Sequence, residues 1–298
     1  MSNRYVVLTH RRILHVAGAD SRHFLQGLIS QDITLVNDTH SIWAAMLTAQ
    51  GKYLFDFFVM AYGEDLLLDC DDSQAEALRK TLTLYKLRAD VKIEDWGSSH
   101  HVVAALGDLS PLSLPLHAGR TQHFHGGEII AMVDPRSEEM AARIIAPAGE
   151  AETWVLQRGY AQASIDDYET HRITLGIPRA GIDNVPQKTL LLENGFEELH
   201  GVSFEKGCYV GQEVTARTKH RANLQKRLYI VQADEPLPPT GAEILLGERV
   251  VGDLRSSHGT MGLAVLRNEA VEKAANGEGT LTINGVAVRA ESPSWRAN

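Results

Sequence analysis

The stretch Lys206-Gly207-Cys208-Tyr209-Val210-Gly211-Gln212-Glu213 sets a thiol between two glycines, a backbone able to turn sharply or to approach a ligand closely. The nucleophile and metal ligand in a cysteine is the thiolate. Lys206 favours that form, whereas Glu205 and Glu213 oppose it. The sign of the shift is therefore open from sequence. Cys208 reads either as a reactive thiol, with Lys206 as its activating partner, or as a small apolar residue buried in packing.

Asp56 is a second candidate. Over Tyr53 to Met60 the period of two sets Tyr53, Phe55, Phe57 and Val59 on one face, and Asp56 with Leu54, Phe58 and Met60 on the other. A carboxylate among large apolar groups must find donors or shift its pKa upward. General bases and ligand anchors are placed in this way; a structural acid bonded to backbone amides is the competing reading. Arg217, Lys219, Arg221, Lys226 and Arg227 then follow the cysteine loop, with no acid among residues 217–227. They mark an anion site, for phosphate or a ligand carboxylate, or else a solvated basic face. His123 and His125 form a close pair without an evident third ligand, so no metal is expected there.

The bulk composition narrows the function classes. In 298 residues the net charge is −9, which argues against a surface built for nucleic acid. No apolar run reaches the roughly 18 residues of a membrane span. Arg4, Arg11, Arg12 and Arg22 superficially resemble a transit peptide, but strand-like sequence from Tyr5 leaves no room for a removable segment. Cys70 and Cys208 are the only cysteines. They can neither form a disulfide framework nor hold a four-cysteine cluster within one protomer, and they point to a reducing cytoplasm.

The elements that must position these residues come in two cycles. Strands are expected at Tyr5–Thr9, Ile13–Ala17, Trp43–Thr48, Tyr53–Met60, Leu66–Cys70 and Val91–Glu94. A short helix follows Asp20 or Ser21, and a longer one begins at Ser73 with Glu76 completing a capping box. The second cycle has strands His101–Leu106, Glu128–Val133 and Arg143–Ala146, a helix over Ala151–Gln162, and a helix capped by Ser164 with Asp167 that stops at Gly176 and Pro178. Gly181 to Gly211 reads as loop. Beyond Lys226, short strands broken by Gly, Pro and Asn predict a small β-barrel. The organisation is thus α+β, with two lobes (interleaved or in series) over residues 1–225 and a barrel over 226–298.

The loop at 206–213 resembles the signature of the folate-binding YgfZ-type family, relatives of the glycine-cleavage T-protein. Gly18-Ala19-Asp20-Ser21 with Phe24-Leu25-Gln26-Gly27, the hairpin Leu47 to Val59, Arg172-Ile173 with Gly176-Ile177-Pro178, and Asn184-Val185-Pro186-Gln187 are similar to that family too. The resemblance implies a three-lobed T-protein-like fold with tetrahydrofolate, or a one-carbon derivative, where the lobes meet. It places Arg11, Tyr168, Arg172 and Arg217 on the folate, beside Asp56. It makes Cys208 the functional thiol of a loop completed by Lys206, Gly207, Tyr209, Gly211, Gln212 and Glu213. The implied role is assembly or repair of iron–sulfur clusters in client enzymes, some of them tRNA-modifying. The implied partners are folate and iron–sulfur client or scaffold proteins, and the protein itself is expected to be a monomer, off the membrane and without direct nucleic-acid contact. The alternative is a folate-dependent aminomethyltransferase or methyltransferase with Asp56 as base. Phe55, where T-proteins carry a second acid, and the cysteine loop, which they lack, argue against it. An RNA-binding module using the basic cluster is the remaining rival.

Overall fold

The computed structural model describes residues 2–97, 99–221 and 224–296. Two sheets face one another. One has the strand order Ile42–Leu47, Tyr53–Tyr62, Asp65–Asp71, Arg11–Ala17, Lys92–Asp95, all antiparallel. The other runs Ala161–Gln162, Arg4–Val7, His100–Leu106, Ala142–Pro147, Ile129–Val133, Thr121–Phe124. The first strand of the chain thus joins the second sheet and the next strand joins the first. The two lobes interleave at their start, tied by the turn at His10.

Strand alternation builds the layers. Val102, Ala104 and Leu106 enter a core shared with Trp43, Phe58 and Met60 of the facing sheet, while Val103 and Ala105 point to the outer side. Helix α1 (Ser21–Gln26) and helix α2 (Asp72–Tyr85) cover the outside of the first sheet, and α3 (Glu150–Leu156) covers the second. Each sheet is thereby buried on both faces, which accounts for the near-continuous apolar runs Ile42–Leu47 and Leu66–Leu68.

Helix α4 (Ile165–Thr174) carries the capping box of Ser164 and Asp167 that the sequence predicts. α2 differs from expectation: Asp71, not Ser73, is its N-cap, and its carboxylate accepts from the Ser73 amide at 3.1 Å. Glu76 turns outward to Arg79 and Lys80 instead of completing a box. The helix expected over Ala151–Gln162 ends at Leu156, because Ala161 and Gln162 pair with Arg4 and Tyr5 as a strand. Helix α5 (Gln212–Arg221), which carries the end of the cysteine motif and much of the basic cluster, and α6 (Asn268–Ala275) have no counterpart among the expected elements.

Lys226–Ala233, Met261–Arg267, Arg249–His258, Glu243–Leu246, Leu281–Ile283 and Val286–Glu291 close into a barrel in that order. Closure removes the exposed edges that such short strands would otherwise present. The expected three-lobed α+β architecture with a terminal barrel is the one observed.

Candidate functional site

The cysteine loop lies against the end of α1 and the tip of the first hairpin. Val210 donates its amide to the Gly27 carbonyl at 3.1 Å. Gly211 has φ +81, and a Cβ there would stand 2.4 Å from the Thr48 carbonyl oxygen, so only glycine fits. The Gln212 side-chain oxygen accepts from the Tyr209 amide at 3.3 Å, and Glu213 stands exposed in the first turn of α5. Tyr209 is buried in the core shared by both sheets, with Trp43, Tyr53 and Tyr168. Cys208 beside it is exposed.

Cys70, by contrast, is buried beneath α2, its thiol donating to the Arg12 carbonyl at 3.5 Å. Burial pushes its pKa up to about 12, with Arg11 acting against that rise. Of the two cysteines only Cys208 is open to reagents and partners.

Lys206 departs from its expected role as thiolate partner. Its ammonium is buried and donates to the carbonyls of Gln26, Ile29 and Gln31 at 2.8, 2.7 and 3.0 Å. An ammonium has three N–H bonds, and all of them are spent on the backbone. Burial pushes its pKa down to about 8, with Asp32 pulling upward.

Asp56 is buried and fully partnered. It accepts from Trp43 Nε1 at 3.0 Å, from the Tyr53 hydroxyl at 2.9 Å and from Asn184 Nδ2 at 2.9 Å. Its partners are side chains, where the structural reading had foreseen backbone amides. The face assignment also needs correction. A register shift between Met46 and Leu47 brings Tyr53 to the Asp56 side with Phe58 and Met60, and leaves Leu54 packed with Phe55 and Phe57. Held in this way, Asp56 has the surroundings of a structural acid, with donors on both of its oxygens.

Around it lies a set of charges of which the sequence reading picked out only Arg11. Asp69, wholly buried, accepts from Arg11 Nε at 2.6 Å and from Arg143 Nε and Nη2 at 3.0 and 2.6 Å. Asp134 takes Arg136 through two parallel bonds of 2.9 and 2.8 Å. The guanidiniums of Arg11, Arg136 and Arg143 stand over the Phe58 ring at 5.5, 4.9 and 4.1 Å, an arrangement suited to planar cations. The visible signal was an ionic residue inside an apolar run: Leu66-Leu67-Leu68-Asp69 and Ala141-Ala142-Arg143-Ile144.

Three of the four residues assigned to folate are turned to partners inside the protein. Arg11 is committed to Asp69. Tyr168 is buried, its hydroxyl 3.5 Å from Arg143 Nη1. Arg172 donates to Glu169, Asp183, the Ile177 carbonyl and Ser256, joining α4 to the barrel. Arg172 thus has all five of its N–H groups engaged within the protein, whereas Arg11 places two of its five on Asp69 and the Tyr168 hydroxyl accepts from Arg143. Arg217 stands exposed on α5. A cleft of about 410 Å³ does open between the lobes, but Gln31, Ile42, His117, Glu138 and His200 line it and none of the four assigned residues does. The basic cluster is likewise partly neutralised, Lys219 pairing with Glu197 and Arg227 with Glu198 at 3.3 Å; the Arg221 side chain lies outside the described residues. Among the described residues no group of three or more His, Cys, Asp or Glu is placed to hold a metal ion.

Two facing α+β layers, a closed barrel and an exposed thiol on an anchored loop define a T-protein-like protein with a cysteine loop. Residues 225–298 match the family described as CAF17, C-terminal beta-barrel domain. The glycine cleavage system aminomethyltransferase T of Bartonella henselae superposes with a TM-score of 0.79 over 99% of this chain and 86% of that one, at 14% identity, a likeness of fold alone. The human protein "Iron-sulfur cluster assembly factor IBA57, mitochondrial" is 33% identical across 97% of this chain and 84% of its own length. The mouse protein of the same name is 31% identical with the same coverage. The chain belongs to the IBA57 family of iron–sulfur cluster assembly factors, the YgfZ-type family that its cysteine loop resembles.

These relatives correct the expectation of a cytoplasmic setting, since they are named as mitochondrial. Two unpaired cysteines distinguish reducing from oxidising surroundings, and more than one compartment is reducing. The cysteine argument therefore never selected the cytoplasm.

Proposed function

We propose that this chain serves in iron–sulfur cluster assembly by presenting Cys208 as a thiolate ligand to a cluster in transit between other proteins. The observation that carries this reading is the contrast between the cysteines: Cys208 exposed at a loop, Cys70 buried with its thiol pushed up to about 12. A cluster bound through cysteine takes four thiolates. One exposed thiol supplies one of them, so the remaining ligands must come from the protein that brings or receives the cluster. The family relationship supports the wider part of this reading, service in iron–sulfur cluster assembly, which its members carry in their names.

The test is complementation of cells lacking the protein, with cluster-dependent enzymes as readout. Cys70→Ala should restore them, whereas Cys208→Ala should leave their activities at least about tenfold down, as expected for loss of a metal ligand. A Cys208→Ala variant that restores wild-type activity would reduce the loop to packing and end this reading.

A further inference from the structure

The segment from His200 to Val210 is laced along the segment from Gln31 back to Gly27. Gln31 Nε2 donates to the His200 carbonyl at 2.7 Å, and Ser30 Oγ to the Gly201 carbonyl at 2.6 Å. The Ser203 amide donates to the Ser30 carbonyl at 2.9 Å, and the Val210 amide to the Gly27 carbonyl at 3.1 Å. Lys206 is the central stitch, with its three bonds to the carbonyls of Gln26, Ile29 and Gln31. Those carbonyls belong to the last residue of α1 and the turn after it. There the backbone leaves acceptors unpaired and carries partial negative charge. The lysine ammonium occupies the place a bound cation would take.

Between its two feet the loop stands clear. A Cβ added to Gly207 would meet no atom within 4 Å, and both Gly207 and Cys208 are exposed. Lys206 and Tyr209 are buried on either side. The thiol therefore sits on a short arch whose ends are fixed in the protein body.

We propose that Lys206 is the positioning residue of the Cys208 arch, holding one foot while the Val210 amide holds the other, so that the thiol is presented in one place to an incoming cluster. This rests on Cys208 being a cluster ligand. The residue type follows from the geometry. Three acceptors surround one nitrogen, which suits the three N–H bonds of a lysine ammonium, whereas no nitrogen of arginine carries more than two and those lie in one plane.

The test compares Lys206→Met and Lys206→Arg with wild type in three measurements: the melting curve, the rate at which iodoacetamide alkylates Cys208, and the rate and circular-dichroism signature of transfer of a [2Fe–2S] cluster from a reconstituted cluster-bearing ferredoxin. Both variants should melt cooperatively, alkylate Cys208 several-fold faster, and transfer the cluster about tenfold more slowly with an altered spectrum. Transfer at the wild-type rate with a loosened arch would make Lys206 a packing residue and overturn the proposal. So would full recovery in Lys206→Arg, since charge alone would then suffice. If both variants fail to fold, amide hydrogen exchange of the wild type decides: Val210 and Ser203 should be protected and Cys208 not, and an unprotected Val210 overturns the arch. An active Cys208→Ala protein would instead sink the cluster-ligand reading, while the alkylation and exchange measurements still judge the arch.

Discussion

Asp56 accepts one bond on Oδ1, from Trp43, and two on Oδ2, from Tyr53 and Asn184. Substitution by asparagine puts an NH2 group where one of those oxygens was, facing a donor. At least one hydrogen bond to a charged acceptor is lost and a buried donor is left unpaired, which costs about 2–4 kcal/mol. Asp56→Asn should thus lower the urea midpoint markedly while leaving Cys208 exposed to alkylation; an unchanged midpoint would mean that the carboxylate is not the hub of this network. Because the guanidiniums of Arg11 and Arg172 are already committed to protein acceptors, tetrahydrofolate at millimolar concentration should leave the melting temperature unchanged. A rise of several degrees would show a site formed by other residues. The sequence showed Asp56 as an acid among apolar neighbours, but not its partners: Trp43 is 13 and Asn184 is 128 positions away. Trp43 lies on the neighbouring strand, where the register of the hairpin decides the pairing, and Asn184 comes from a distant loop, a contact that leaves no local trace.

Helix α5 illustrates what an element loses when its pattern is polar. Gln212 to Arg221 has no apolar stripe to mark it, and among its described residues only Thr215 is buried. A period of 3.6 cannot be read from such a segment. What holds its start is a close fit of glycines, since a Cβ on Gly51 would lie 2.6 Å from Val214 Cβ and 2.9 Å from the Gly211 carbonyl oxygen. The capping box of α4, in contrast, was legible because Ser164 and Asp167 are three residues apart and act locally. At Gly211 the strain is both conformational and steric. Gly211→Ala must move the loop off the hairpin, at about 2 kcal/mol or more. It should increase the alkylation rate of Cys208 and weaken cluster transfer together. Equal rates in the variant and the wild type would show that the contact between loop and hairpin does not control the thiol.

Across the whole molecule, the barrel was legible because each strand and turn is local, whereas the exchange of the first two strands between sheets was not. Tyr5 and Ile13 carry the same strand signal, and only the His10 turn decides that they part. That turn also couples the fold to pH. Burial, reinforced by Arg179, Arg11, Arg143 and Arg172, pushes the pKa of His10 from 6.5 down to about 2. Burial would raise Asp134, but Arg136 and Arg143 more than offset it and hold that carboxyl below its ordinary value. The two effects have the same sign. His10 stays neutral in the fold and is protonated in the unfolded chain below pH 6.5, so the unfolded state binds more protons and stability falls with falling pH. Asp134 stays ionised in the fold while an ordinary carboxyl takes a proton, which extends the loss to lower pH. Between pH 6.5 and 5 the His10 contribution alone amounts to about 2 kcal/mol. His10→Gln removes the titrating ring without adding charge beside the four arginines. Urea midpoints measured across that window should therefore fall steeply in the wild type and much less in His10→Gln. Parallel curves for the two proteins would place the acid sensitivity elsewhere, with the carboxylates, and would show that His10 is not the neutral group the surrounding guanidiniums require.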